Sequence, residues 1–251
     1  MDKTLIRRRF ARSVRSYAEY ARAQQMIAGR MCLMLRPLVR ECPASVLEIG
    51  CGTGTFTRLF MQHFHPARMT LNDICPEVRE ALDDVLSLPG LEFLAGDAEQ
   101  CRLPEGQELI TSCSVLQWLE HPEDFIRHCR SLLVSGGTLA ISTFGPDNLH
   151  EIRSITGSGL EYPSVHQLRR MLSDAGLETL LLHDERIVLN FPSATDIMRH
   201  LKHTGVTGIV RTRWTPGRLA DFSAEYSSRY GAGDGSVPLT YHPVYMIAKK
   251  D

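Results

Sequence analysis

The residues best placed to do chemistry are Glu48, Gly50, Gly52 and Gly54, set in Val46-Leu47-Glu48-Ile49-Gly50-Cys51-Gly52-Thr53-Gly54-Thr55-Phe56-Thr57. Glycine lets a backbone turn sharply and approach a ligand closely. The short apolar run ahead of Gly50 reads as a buried strand, and a helix is expected over residues 54–64. A dinucleotide-binding turn needs G-x-G-x-x-G, and Thr55 stands where its third glycine would be. Glu48 sets a negative charge beside the loop, which repels a pyrophosphate and suits an ammonium or a sulfonium ion. S-adenosylmethionine carries both of those cations and no phosphate, so it is the ligand the loop points to. A glycine-rich turn with no ligand is the bland alternative.

Three further groups have the right chemistry for the same ligand. A second strand over 69–73 ends in Asp73, whose two carboxylate oxygens can accept from the two neighbouring hydroxyls of a ribose. With Asn72 and Pro76, Asp73 equally suits the start of a helix over 76–87. A third strand over 91–95 leads into Gly96-Asp97-Ala98-Glu99. There Asp97 can accept from the amine of adenine while the Ala98 backbone N–H meets the ring, or Asp97 can be a plain turn residue. A fourth strand over 108–113 opens onto Ser114-Val115-Leu116-Gln117-Trp118. Ser114 and Leu116 are expected on the methionine side, and Gln117 and Trp118 facing the transferred methyl, with a core position as the alternative for Trp118.

These residues need a scaffold that gathers strand ends, and the rest of the chain supplies one. Strands alternate with helices: a helix over 122–134 is followed by a fifth strand over 138–143, and a helix over 164–175 by a sixth strand within 177–190. That alternation predicts an α/β, doubly wound, mostly parallel seven-stranded sheet. Residues 1–41 read as amphipathic helix, with Phe10, Val14, Tyr17 and Ala21 on one stripe, and form a candidate lid. The cofactor-binding core is expected over 42–190, a helical cap with helices over 193–203 and 215–230 over 191–236, and the last strand within 237–251, near 239–248. The loop Phe144-Gly145-Pro146-Asp147-Asn148-Leu149 should touch substrate.

Length and composition agree. The 251 residues are 43% hydrophobic, enough to bury a full core, and a net charge of -1 argues against broad nucleic-acid binding. The seven cysteines include no C-x-x-C pair and read as apolar fillers of a reducing compartment, with no metal site expected. With no long apolar run and no signal-like start, a soluble cytoplasmic protein that does not enter a membrane is expected.

Taken together, these motifs resemble a known family. Glu48-Ile49-Gly50-Cys51-Gly52-Thr53-Gly54 is similar to motif I of the class I S-adenosylmethionine-dependent methyltransferases. Leu116-Gln117-Trp118, Ser142-Thr143-Phe144-Gly145-Pro146, Arg199-His200-Leu201-Lys202-His203-Thr204-Gly205 and Pro238-Leu239-Thr240-Tyr241 narrow the resemblance to the malonyl-acyl-carrier-protein O-methyltransferases of biotin synthesis. The resemblance implies methyl transfer to the free carboxylate of a malonyl thioester on acyl carrier protein, with S-adenosylhomocysteine as the second product and no metal. An ionised carboxylate needs no general base, only orientation and a dry site. Tyr17, Gln117, Trp118 and His200 are the candidates to hold it. Arg199, Lys202, Arg211 and Arg213 are candidates to meet the acidic carrier, or else line a solvated helix face. A monomer is the expected state. Two rivals stand beside this reading: a methyltransferase of free small acids or natural products, and a catalytically silent partner protein.

Overall fold

Two helices precede the first strand in the computed structural model, which describes residues 3–205 and 214–251. Helix α1 (Lys3–Tyr20) and helix α2 (Arg22–Leu35) break at Ala21. The chain then runs β1 (Ser45–Ile49), α3 (Thr55–Met61), β2 (Arg68–Asp73), a 3-10 turn over Pro76–Leu82 leading into α4 (Asp83–Leu86), and β3 (Leu91–Ala95). Next come β4 (Gln107–Cys113), a short 3-10 turn over Leu116–Trp118, α5 (Pro122–Leu132), β5 (Leu133–Phe144), α6 (His150–Thr156) and α7 (Val165–Asp174). The last part holds β6 (Glu178–Asp184), β7 (Ile187–Phe191), α8 (Ala194–His203), α9 (Pro216–Tyr230), β8 (Val237–Tyr241) and β9 (Pro243–Lys249).

Seven strands form one sheet in the order β3-β2-β1-β4-β5-β9-β6. Neighbours from β3 through β5 are parallel, and β9 runs antiparallel to both β5 and β6. All five residues of β1 are buried, as a central parallel strand covered on both faces requires. Val46 packs with Ile27, Met31 and Phe60 on one face, while its neighbour Leu47 packs with Ile110, Phe125 and Leu168 on the other. Chain order reverses between β1 and β4, because β2 lies on one side of β1 and β4 on the other. In open α/β sheets the crevice at such a reversal is where ligands bind.

The doubly wound expectation holds, and the differences are local. The stretch 177–190 is not one strand: β6 ends at Asp184, and β7 pairs instead with β8 in a separate two-stranded sheet. The stretch 239–248 likewise divides at His242, with β8 in the small sheet and β9 in the large one. One corner explains both breaks, since His242 Nε2 meets Asp184 Oδ2 at 3.0 Å, with Arg186 bonded to Asp184 and Asp147. The helix expected over 76–87 is mostly a 3-10 turn. Strand β5 starts at Leu133 and carries Gly136-Gly137 inside it rather than after a longer α5. In chain order α8 and α9 come between β7 and β8, which pair directly with each other. Among the described residues no helix is long and apolar enough to cross a membrane.

Candidate active site

The turn after β1 is shaped by conformations that only glycine adopts easily. Gly50 has φ of 72° and Gly54 φ of 78°. A Cβ on Gly50 would sit 2.2 Å from Val115 Cγ2, so any side chain there pushes the β4 turn away. Gly50 N and Cys51 N both donate to Asn72 O, at 2.8 and 2.9 Å. Arg58 of α3 holds the far side of the loop, donating to Thr53 O at 2.5 Å and to Asp84 at 2.8 Å. The loop is thus fixed between the ends of β2 and the first turn of α3.

Asp73 closes this cradle. Its Oδ2 accepts from Gly52 N at 2.9 Å and its Oδ1 from Cys75 N at 2.8 Å, so each oxygen keeps a lone pair for a ligand. Burial pushes its carboxyl above the usual range, and the two backbone donors oppose that shift. Asp73, Gly50, Gly52, Asp97, Ala98 and Ser114 line a cleft of about 890 Å³. Two hydroxyl oxygens lining it, Thr53 Oγ1 and Ser114 Oγ, are buried without a partner. Buried polar atoms are rarely left so unless a ligand completes them. The cleft therefore fits an adenosine-bearing ligand: a carboxylate at the strand end for the ribose, a glycine turn for close approach, and unpaired hydroxyls for polar groups.

Helix α1 forms the cleft's outer wall. Lys3, Ile6, Phe10, Val14 and Tyr17 recur every three or four residues and share the inner face, while Arg7, Arg8 and Arg12 point outward. Lys3 Nζ lies 2.6 Å from Asp97 Oδ2 and 2.5 Å from Glu99 Oε2. Burial pulls the Lys3 ammonium down, but the two carboxylates outweigh it and hold its proton more tightly than usual. The residue expected to meet adenine is therefore also the residue that latches α1 shut. Phe10 meets Trp118 edge-on, with ring centroids 5.6 Å apart.

Three expectations for the loop need correction. Gly54 does not line the cleft: a Cβ there would face Leu82 and Arg58. Glu48 does not line the cleft: it is buried beneath the loop, and Thr57 Oγ1 donates to its Oε2 at 2.7 Å. Burial pushes its carboxyl up to about 8, against the Thr57 bond, which favours the protonated form at neutral pH over the flanking charge expected. Leu116 turns into the core with Leu47 and Ile110, and Val115 takes the place on the cleft wall. The 3-10 turn there shifts which side chain faces the cleft, which a strand-based reading could not anticipate.

A second cavity of about 420 Å³ adjoins the first, and Phe10, Tyr17, Ser114 and Trp118 line both. Its polar groups are neutral: the hydroxyls of Tyr17, Ser114, Tyr162, Thr204 and Tyr241 and the amides of Gln24, Gln117 and Asn148. Among the described residues no charged side chain lines it. Burial pushes the Tyr162 phenol up to about 12 and those of Tyr17 and Tyr241 further in the same direction, so all three stay protonated donors. Gln117 Nε2 donates to Ser114 O at 2.6 Å, which fixes the amide's orientation. Ser114 with φ of 60° and Leu149 with φ of 53° are the non-glycine residues in the left-handed region among those described, and both line this cavity. Such conformations cost about 1–3 kcal/mol each and tend to gather where a site is being shaped.

The loop expected to touch substrate does bring Phe144, Asn148 and Leu149 to this cavity. His242 pins it: Asp147 N donates to His242 Nδ1 at 3.1 Å and Gly145 N to His242 O at 2.8 Å. His200 behaves differently from expectation. It is buried behind the wall, with Nε2 2.7 Å from Tyr241 Oη, and does not line the cavity. Burial, helped by Arg22 and His203, lowers its pKa to about 4, so it is neutral and cannot serve as a cation for a substrate carboxylate. On α8, Arg199 pairs with Asp196 one turn away and Lys202 is exposed. Arg211 and Arg213 lie outside the described residues. Among the described residues no group of three or more His, Cys, Asp or Glu is placed to hold a metal ion.

Gln24, Tyr162 and Val115 were not singled out by their sequence context. Gln24 did carry a signal, since it is the polar member of a stripe that continues through Ile27, Ala28, Met31 and Leu35, all buried. Tyr162 sits in an aperiodic stretch, and nothing local marks it.

Comparison with known proteins agrees with this geometry. A family model described as a methyltransferase domain matches residues 17–182. A malonyl-acyl-carrier-protein O-methyltransferase of Bacteroides thetaiotaomicron is 40% identical, over 100% of this chain and 99% of its own. The protein of that name from Porphyromonas gingivalis is 41% identical over 99% of this chain and 96% of its own. One from Bacteroides fragilis is 46% identical over 99% of this chain, which spans only 51% of that longer relative. Among solved structures, an S-adenosylmethionine-dependent methyltransferase of Mesorhizobium loti matches with a TM-score of 0.55 at 15% identity, covering 87% of this chain and 96% of its own. The N-methyltransferase NodS of Bradyrhizobium japonicum, in complex with S-adenosylhomocysteine, matches with a TM-score of 0.52 at 17% identity, over 92% of this chain and 87% of its own. At those identities the structures speak to the fold alone.

Proposed function

The chain belongs to the malonyl-acyl-carrier-protein O-methyltransferase family of S-adenosylmethionine-dependent enzymes, and we propose that it methylates the free carboxylate of a malonyl thioester on acyl carrier protein. The product ester would prime pimeloyl synthesis for biotin. One observation carries the reading: two adjoining cavities share a wall of Phe10, Tyr17, Ser114 and Trp118, one with a carboxylate cradle and the other with neutral donors.

The larger cleft suits the cofactor. Asp73 would accept from the ribose hydroxyls, Ala98 and Asp97 would flank the adenine, and Gly50, Gly52 and Ser114 would lie along the remainder, with Gly54 starting α3 behind the loop. Glu48 supports the loop from below, and Leu116 supports it from the core side. When bound, S-adenosylmethionine supplies an electrophilic methyl on a sulfonium centre. The protein's task is to bring a carboxylate oxygen in line with it and to keep water out. Tyr17, at the shared wall, Gln117 and Tyr241 are suited to hold the carboxylate by donating hydrogen bonds. Neutral donors orient an anion while leaving more of its charge at the attacking oxygen than a guanidinium or ammonium would. Trp118 and Phe10 exclude water across the junction, and His200 acts through Tyr241 as a positioning residue.

The acidic carrier would dock by charge. With Arg199 already paired to Asp196, Lys202 and the outer face of α1 at Arg8 and Arg12 are the cations proposed to meet it. Arg211 and Arg213 belong to the same proposal from sequence alone. In this reading α1 with α2 is a lid over residues 1–41, the core spans 42–190, the cap 191–236 and the last strand 237–251. The enzyme works as a cytoplasmic monomer without nucleic acid or membrane. The test is a mass measurement on malonyl carrier protein incubated with enzyme and S-adenosylmethionine. A gain of one methyl on the malonyl group is expected. Methylation of free malonate at the same efficiency as the carrier-bound form would overturn the substrate assignment.

A further inference from the structure

Gln24 has an acceptor and nothing to accept from. Its Oε1 is buried without a hydrogen-bond partner, and its side chain lines the smaller cavity. The local role open to a glutamine at this position is already filled. Gln24 is the third residue of α2, from which a side chain can reach back to the N–H of the residue preceding the helix. That N–H, on Ala21, donates instead to Tyr17 O at 2.8 Å, because α1 runs to within one residue of α2. The oxygen is thus left unmet on a side chain that lines the cavity, and an unmet buried acceptor calls for a donor.

The malonyl group cannot be that donor. Ionised, it presents a carboxylate and a thioester carbonyl, which only accept. The arm that carries it can donate: a pantetheine thioester has an amide N–H two methylenes beyond the sulfur. Resting on the substrate reading above, we infer that Gln24 accepts a hydrogen bond from this amide and so makes the enzyme specific for malonyl groups borne on a pantetheine arm. The neighbouring groups fit that division of labour. Tyr17, Tyr162, Tyr241, Gln117 and Asn148 offer donors to the malonyl end, and Gln24 offers the acceptor to the arm.

Two small substrates separate this role from others: malonyl N-acetylcysteamine thioester, which keeps the amide N–H, and malonyl S-butyl thioester, which lacks it. The wild-type enzyme is expected to prefer the first by about tenfold in kcat/KM, the scale of one well-placed hydrogen bond. In Gln24→Leu that ratio should fall to about one, with S-adenosylhomocysteine titration verifying that the cofactor side is folded. No preference in the wild type, readable even if the variant fails to fold, would overturn the inference. So would a preference that survives in Gln24→Leu, or equal losses on both substrates. Malonyl carrier protein is assayed alongside the wild type: if it too gains no methyl, the substrate reading itself fails, and this inference with it.

Discussion

Asp73→Ala is the substitution that most sharply separates ligand binding from scaffold. In the wild type the carboxylate is 8% exposed and takes one backbone N–H on each oxygen, from Gly52 and Cys75. The remaining lone pairs face the cleft and are proposed to meet two ribose hydroxyls. Deleting them removes two charge-assisted hydrogen bonds, each worth about 1.5–3 kcal/mol at most, with water recovering part of the loss. A net penalty of about 1.5–3 kcal/mol is expected, which is roughly a ten- to hundredfold rise in Kd. The folding cost should be smaller. Losing the acceptor for two backbone N–H groups destabilises, but burial already holds this carboxyl above its ordinary pKa, so removing it relieves a desolvation penalty. Calorimetric titration with S-adenosylhomocysteine, paired with a thermal melt of the free protein, reads both quantities. Unchanged affinity, or an affinity loss matched by collapse of the melt, would refute the reasoning.

Other substitutions probe the remaining parts. Burial holds the Glu48 carboxyl up at about 8 against its ordinary 4.5, so its contribution to stability is fully present below about pH 4.5 and is lost as pH rises through 8. The loss should reach a few kcal/mol, with Asp73 acting in the same direction, and Glu48→Gln should flatten that part of a melting-temperature profile between pH 5 and 9; an unaltered slope would contradict the buried, protonated state. Gly145→Ala sets a Cβ 2.5 Å from the His242 ring, and the resulting displacement of the 144–149 loop should cost about 1–3 kcal/mol in kcat/KM while S-adenosylhomocysteine affinity is kept. Lys3→Ala removes the latch to Asp97 and Glu99 and should speed cofactor dissociation about threefold to tenfold, read by stopped-flow fluorescence of Trp118. Lys202→Glu should raise KM for malonyl carrier protein and weaken the salt dependence of that KM, with no change on a small malonyl thioester.

What could be read from the sequence was whatever depends on local pattern. Parallel strands covered on both faces are continuous apolar runs, so Val46 to Ile49 and Leu109 to Cys113 announced themselves, and the glycine spacing with Asp73 located the cradle at the sheet's reversal point. Charge state was not readable, because the proton on Glu48 and the neutrality of His200 follow from burial that only tertiary packing creates. Nor was facing at short turns: the Leu116–Trp118 3-10 geometry exchanged Val115 for Leu116 on the cleft wall. The corner where Asp184 meets His242 was hidden inside two apolar runs, although Asp184-Glu185-Arg186 and Pro243 mark it in hindsight. The smaller cavity was the least legible part. It is assembled from α1, α2, the β4 turn, the 144–149 loop and the end of β8, and no single segment displays it.

The account rests on one cleft holding the methyl donor and the adjoining one receiving the acceptor. A crystal structure with S-adenosylhomocysteine tests this most directly. The ribose is predicted on Asp73, the adenine beside Asp97 and Ala98, and the sulfur at the wall shared by Phe10, Tyr17, Ser114 and Trp118, facing the smaller cavity. A ligand bound with its sulfur turned away from that wall, or with its ribose far from Asp73, would contradict it.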